Sequence, residues 1–188
     1  MLRQDYRAVK RPKRVERHRE QEIVVLDASP DRTLELRNAF GCFASGVTVV
    51  TLHDDDGAPT GITVNSFSSL SLDPALLLFS IGKSQVSARF FEAREAFNVN
   101  VLCRDQEHLA WQFAKPLKDK FKGVDVREAQ NGVPVIDGAL AHFICEKHEV
   151  LEGGDHLIIV GRIVDFAARE GEPLLFNRGR MCSVAPAP

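Results

Sequence analysis

Three stretches of the chain carry residue types able to do chemistry at a useful spacing. The first holds Thr63, Asn65 and Ser66, followed by Ser68, Ser69 and Ser71 and then Asp73-Pro74. Hydroxyls and amides at this density supply many neutral donors and acceptors, which suits hydrogen bonding to a flavin's ribityl chain and ring edge. The same composition also describes a solvated serine-rich turn at the end of a barrel. The second stretch is Ser80-Ile81-Gly82-Lys83-Ser84, with Ser87 one turn further on. It reads as a strand ending in a glycine turn that opens a helix. Free backbone N–H groups at a helix start, with an ammonium beside them, make a generic anion site suited to a phosphate; ordinary N-capping is the alternative. The third is His156, which follows Gly153-Gly154-Asp155 at the mouth of a turn. Its imidazole can stack on or hydrogen-bond a nicotinamide, or simply bond its strand neighbours.

Several other chemistries lack their residues. No Gly-x-Gly-x-x-Gly follows a strand, which argues against a doubly wound dinucleotide site. Gly41 to Gly46 has the outer glycine spacing of a phosphate loop, but Val47-Thr48 stands where Lys-Ser/Thr is required. Neither Gly-x-Ser-x-Gly nor His-Glu-x-x-His occurs. Cys42, Cys103, Cys145 and Cys182 form no Cys-x-x-Cys pair and read as reduced, mostly buried thiols. His142 and His148 can share a strand face, but two histidines do not make a metal site, and no metal is expected.

These candidates need elements to position them. Ser29-Pro30-Asp31 is a helix start, with Leu36, Phe40 and Phe43 at helical spacing and Gly46 closing the segment. Residues 47–52 and 61–66 read as two strands of a hairpin around Asp54-Asp55-Asp56-Gly57. Residues 76–81 form a buried strand, and Ser84 caps a short helix with Val86, Phe90 and Ala93 on one face. Residues 97–102 alternate apolar and polar as a half-buried strand. Asp105 caps a helix carrying Leu109 and Phe113, and residues 124–134 form a polar surface loop. Residues 140–150 and 156–168 read as two long strands, and Leu174-Leu175-Phe176 as a last short one. Strands joined mainly by turns favour an antiparallel barrel with a few helices outside it.

The 188 residues suit one domain able to bury a core without disulfide or metal staples. No apolar run approaches the roughly 20 residues of a membrane span, and the charged first twenty residues lack a signal-peptide core, so a cytoplasmic location and no membrane partner are expected. Residues 1–22 carry eight bases against four acids, leaving sixteen bases and twenty-two acids in the rest of the chain. That basic arm reads as a solvated, poorly ordered extension, residues 1–28, ahead of a domain at 29–188. Such an arm can hold nucleic acid or an acidic partner, but Tyr6 is its one aromatic, so no aromatic interleaving supports a nucleic-acid role.

Taken together, the strings Phe40-Gly41-Cys42-Phe43-Ala44-Ser45-Gly46-Val47-Thr48-Val49-Val50-Thr51, Gly61-Ile62-Thr63-Val64-Asn65-Ser66-Phe67 and Ser71-Leu72-Asp73-Pro74 resemble the flavin reductase family that serves two-component flavin-dependent monooxygenases. Residues 97–102, Asp119-Lys120-Phe121, Gly153-Gly154-Asp155-His156 and Phe176-Asn177-Arg178-Gly179 continue the resemblance, which covers roughly residues 32–181 in order. It implies a mainly β fold, an antiparallel Greek-key split β-barrel with a few flanking α-helices, usually a homodimer. It implies flavin contacts, for FMN or FAD, at Gly61, Ile62, Thr63, Asn65, Ser66, Ser80, Ile81, Gly82, Lys83, Ser87, Gln112 and Phe113. Gly154, Asp155 and His156 match the side that receives NADH or NADPH. The implied activity is NAD(P)H:flavin oxidoreduction that supplies reduced flavin to a partner monooxygenase. No essential catalytic side chain is expected, and His156 orients the nicotinamide. A flavoprotein of the same fold that retains its flavin and reduces a corrinoid or metal chelate is the rival reading. The sequence departs from the family at Met181-Cys182, where an aromatic is common.

Overall fold

The computed structural model describes residue 23 and residues 25–184; residues 1–22, which carry the arm's bases, lie outside the described residues. A short 3-10 turn, Pro30–Arg32, leads into helix α1, Thr33–Phe40. The strands that follow are β1 (Ser45–Gly46), β2 (Thr48–His53), β3 (Pro59–Val64), β4 (Ser68–Leu72) and β5 (Ala75–Gly82). Helix α2 (Ala88–Ala93), β6 (Ala96–Val101) and helix α3 (Glu107–Ala114) come next. The chain then runs through β7 (Val126–Glu128), β8 (Pro134–Ile136), β9 (Ala141–Gly153), β10 (His156–Ala168), β11 (Leu175–Asn177) and β12 (Arg180–Cys182). The fold is mainly β with antiparallel sheets and few helices, as expected.

Connectivity forces the main sheet to curl. Its seven strands run in the order β3-β2-β6-β9-β10-β5-β4, so β3 and β4 are opposite edges. A flat sheet of this width would hold its edge strands about 29 Å apart at ~4.8 Å per strand. Yet β3 ends at Val64 and β4 begins at Ser68, a step that spans at most about 14 Å of chain. The edges must therefore approach each other, and the sheet wraps around the apolar cluster of Phe79, Phe91 and Phe97. These three rings meet edge to face, with centroids 5.3 to 6.0 Å apart. A second cluster, built from Val47, Val49, Leu102, Leu109, Phe113, Ile136 and Leu174, fills the outer face of β2 under α3.

Several local expectations change. The serine-rich stretch after Ser66 is edge strand β4, not a turn. Helix α2 starts at Ala88 with Ser87 at its N-cap; Ser84 lies in the preceding turn, and the buried face is Ala88, Phe90 and Phe91, leaving Val86 and Ala93 exposed. Asp105 sits inside a 3-10 turn capped by Cys103, which runs directly into α3. The polar stretch from Val124 to Pro134 carries strand β7, which pairs with β8. Phe40 and Phe43, spaced as a helix's buried face, are 69% and 82% exposed, and α1 buries no residue at all.

Strand β6 is buried on both faces rather than one. The segment 131–136 covers its polar side, so Asn98 and Asn100 are fully enclosed. Enclosure is tolerable because each amide is bonded. Asn100 donates to the Val49 carbonyl (2.9 Å) and accepts from the Ile136 N–H (2.8 Å). Its Oδ1 lies 3.0 Å from His142 Nδ1, which must carry the proton because the amide oxygen only accepts. Burial first, and the Arg127 charge second, hold the His142 pKa below its usual 6.5. The unfolded chain therefore binds a proton that the folded one refuses. Stability should fall as pH drops below about 6.5, until the folded imidazole also titrates. Urea melts of the wild type and His142→Gln across pH 5 to 8 should show the slope in the former and its loss in the latter.

Candidate functional site

The register between β5 and β10 brings the candidate stretches to one place. His156 pairs with Gly82, Leu157 with Ile81 and Ile158 with Ser80. Ser66, in the link between β3 and β4, is tied to the same point: its Oγ donates to the Ser80 carbonyl (3.0 Å) and accepts the Ser80 N–H (2.9 Å). Gly154 and Asp155 form the two-residue turn of the β9–β10 hairpin, with Gly154 at φ +72°. Thr63, Asn65, Ser66, Ser80, Gly82, Lys83 and His156 thus converge at one end of the barrel.

His156 is half-exposed, and its Nδ1 lies 2.7 Å from the Asp155 carboxylate. That bond, with the attraction of the ring's charge, lowers the Asp155 pKa. A carboxylate at Nδ1 fixes the proton there and leaves Nε2 as an acceptor in the neutral ring. Nε2 stands 3.7 Å from where a Cβ on Gly82 would lie, an ordinary van der Waals distance that places the imidazole beside the Gly82 backbone. The arrangement presents one acceptor to a ligand amide.

The turn after Gly82 is held at both ends. The Lys83 N–H donates to the Asp155 carbonyl (3.0 Å), and the Gln85 N–H to the Gly82 carbonyl (2.9 Å). Among the described residues, the Ser84, Val86 and Ser87 N–H groups have no such partner. The Lys83 ammonium pairs with Glu152, so its charge is partly neutralised. An opening of about 490 Å³ lies here, lined by Lys83, Ser84, Gln85, Arg89 and Glu152.

Other predicted contacts have their side chains turned to the structure itself. Ile62, Ile81 and Phe113 belong to the core, and Gly61 packs against the Phe113 ring. Thr63 Oγ1 donates to the Ala110 carbonyl (2.6 Å), fastening β3 to α3. Gln112 Nε2 donates to the carbonyls of Lys120 (2.8 Å) and Lys122 (3.1 Å). Lys120 in turn donates from Nζ to the carbonyls of Gly61 and Phe113, at 2.9 and 2.8 Å, and burial lowers its pKa.

Two crevices meet at Asn65. A narrow one of about 170 Å³ runs between Thr63, Asn65, Ala110, Trp111, Phe176 and Met181. A wider one of about 600 Å³ is lined by Arg37, Phe40, Phe43, Asn65, His156, Phe176 and Arg178 among others. Neither wall contains a carboxylate, and the Asn65 amide has no protein partner among the described residues. An unpaired neutral amide between apolar and aromatic walls fits the edge of a flat heterocycle. Trp111 and Arg37 escaped the reading of the sequence, and Arg178 and Met181 entered it only through the family resemblance, with no site role. Arg178-Gly179 between short apolar strands marks a two-residue hairpin, but the crevice its side chain reaches exists only once α1 and β11 are assembled.

The family model for the flavin reductase like domain matches residues 40–185. The chain belongs to this family. It is 42% identical to "FMN reductase (NADH) SmoA" of Agrobacterium fabrum over 79% of this chain and 84% of that one. It is also 42% identical to "NADH-dependent FAD reductase" of Streptomyces globisporus, over 84% and 88% of the two chains. The structure matches that of a Streptomyces globisporus NADH:FAD oxidoreductase, solved with NAD and FAD fragments, at a TM-score of 0.81 and 39% identity over 88% and 98% of the chains. Other curated relatives are longer: the chain spans 63%, 46% and 47% of the length of three of them. Met181 and Trp111 both line the narrow crevice.

Proposed function

We propose that the protein is an NAD(P)H-dependent flavin reductase that transfers a hydride to FMN or FAD and supplies reduced flavin to a partner monooxygenase, through a domain at residues 29–188. The observation that carries this reading is the convergence at Asn65 of a carboxylate-free crevice with a second that contains His156. Relatives named as NADH-dependent FMN and FAD reductases support it, as does one named the reductase component of a flavin-dependent trigonelline monooxygenase.

The hydride passes between two bound cofactors, so the reacting atoms are theirs. The protein positions them and thins out water between them. Asn65 bonds the ring edge, and the Ser66–Ser80 pair holds the link that carries Asn65 in place. The turn at residues 83–87 would offer the Ser84, Val86 and Ser87 N–H groups to a phosphate, with the Lys83 ammonium shared between it and Glu152. His156 accepts from the nicotinamide carboxamide through Nε2, while Asp155 keeps its ring oriented. Exposed Leu34 and Phe40 on α1, with Phe43 in the turn just after it, form an apolar face that a second copy would cover in a homodimer. A cytoplasmic location is in keeping with the absence, among the described residues, of a helix able to cross a membrane.

The deciding assay follows nicotinamide absorbance with each flavin and each nicotinamide, and measures mass by light scattering on the same preparation. Oxidation of NADH or NADPH that scales with added flavin is expected; none with either dinucleotide refutes the reading. His156→Ala should raise KM for the dinucleotide about tenfold, worth ~1.4 kcal/mol, while flavin Kd moves less than about twofold. Equal losses for both ligands would make the imidazole a structural group.

A further inference from the structure

We propose that Arg37 and Arg178 form a phosphate-binding pair that receives the anionic backbone of the nicotinamide dinucleotide. The inference rests on the reading that His156 takes the nicotinamide, and adds where the rest of that molecule lies.

Both arginines line the crevice that contains His156 and Asn65, and no carboxylate does. Among the described residues neither guanidinium forms an ion pair, although Arg32, Arg89, Arg104, Arg127 and Arg162 all do. Beyond residue 22 the chain has sixteen bases against twenty-two acids. Arg94, Arg169 and Arg180 also lack an ion pair among the described residues, but Arg37 and Arg178 share one acid-free wall, and two such cations together attract a polyanion. A guanidinium's planar fork matches two phosphate oxygens at once.

Arg178 is held at this place against its backbone preference. It has φ +47°, the one described residue other than glycine with a positive φ. With Gly179 at φ +79°, it makes the two-residue turn between β11 and β12. Such turns favour Asn-Gly, because asparagine tolerates the left-handed region better than a long side chain does. The turn is anchored on the end of α1: the Arg178 N–H donates to the Gly41 carbonyl (2.9 Å), and Asn177 Nδ2 to the same oxygen (3.0 Å). One Arg178 Nη lies 3.5 Å from Cys42 Sγ, a weak contact that leaves most of the fork available. A strained residue at the mouth of a crevice points to a role for its side chain rather than its backbone.

The test compares NADH with 1-benzyl-1,4-dihydronicotinamide, a hydride donor with no phosphate, using the full chain with saturating FMN. Arg37→Gln and Arg178→Asn should each raise KM for NADH about fivefold or more, with kcat little changed and the phosphate-free donor unaffected. Calorimetric binding of ADP-ribose should weaken in parallel, and FMN binding should not. Added salt should raise KM for NADH in the wild type and lose that effect in the double variant. Arg178→Asn should also melt at a higher temperature than the wild type, since it relieves the turn. Unchanged KM and unchanged ADP-ribose binding, or an equal loss with both donors, would overturn the proposal. A wild type that oxidises neither donor would instead remove the reductase reading beneath it.

Discussion

Gly61→Ala is expected to lower stability by about 2 kcal/mol, and Gly61→Val by about 3 kcal/mol or more. A Cβ at this position would stand 2.8 Å from the Val50 carbonyl oxygen and 3.0 Å from two atoms of the Phe113 ring. Neither neighbour can retreat cheaply. Val50 lies in β2, where Thr51 pairs with Gly61 itself, and the Phe113 ring is fully buried edge to face with Phe121. The Gly61 carbonyl also accepts from Lys120, so moving the strand would loosen that ammonium as well. For a domain of this size, 2 kcal/mol corresponds to a loss of roughly 4 to 8 °C in Tm. Thermal and urea melts measure the loss, and flavin titration of the folded variant shows whether binding follows it. A Tm within a degree of the wild type together with abolished flavin binding would mean that the glycine serves a ligand's close approach instead.

That contrast bears on how much of the molecule is legible in its sequence. Elements with strong periodicity or turn chemistry are readable: the β2–β3 hairpin around the Asp54 turn, β5 as a buried strand, and the long β9–β10 pair. The family resemblance added the barrel and a candidate location for the site. What local pattern could not supply was which face of an element is covered. Asn98 and Asn100 alternate with valine as a half-exposed strand would, and only the distant segment 131–136 makes that side interior. Phe40 and Phe43 follow helical spacing, yet nothing within the described chain covers them. Among the candidate site residues, His156 stood out in the sequence because a glycine turn sets it at a strand start, and Asn65 because of the hydroxyl- and amide-rich run around it. The resemblance implied flavin contacts at Gln112 and Phe113, and their side chains fasten α3 to its surroundings. Residues that secure a site and residues that touch its ligand leave the same mark in a sequence.

Asn100→Leu is expected to cost about 4 kcal/mol, enough to bring a domain of ordinary stability close to unfolding at room temperature. Leucine keeps the branching at Cγ but is bulkier than asparagine, so overpacking adds to the cost, and four groups each lose a bond. The Val49 carbonyl loses its donor, and Thr51 Oγ1 a weaker one at 3.3 Å. The Ile136 N–H and His142 Nδ1 lose the oxygen that both approach. None of them gains water in exchange, since the position is wholly enclosed. The bonds also span β2, β6, β8 and β9, so the loss falls on the junction where the outer segment closes over the sheet. Urea midpoints at pH 7.5 measure the effect, and a loss below about 1 kcal/mol would mean that the amide is replaceable by packing alone. A cycle with His142→Gln apportions the network: the two changes share one bond and should be coupled by about 1 kcal/mol or more. Strict additivity would show that His142 is held by its burial and not by the asparagine. In that case the pH slope of stability should survive in Asn100→Leu, whereas a shared network requires it to change.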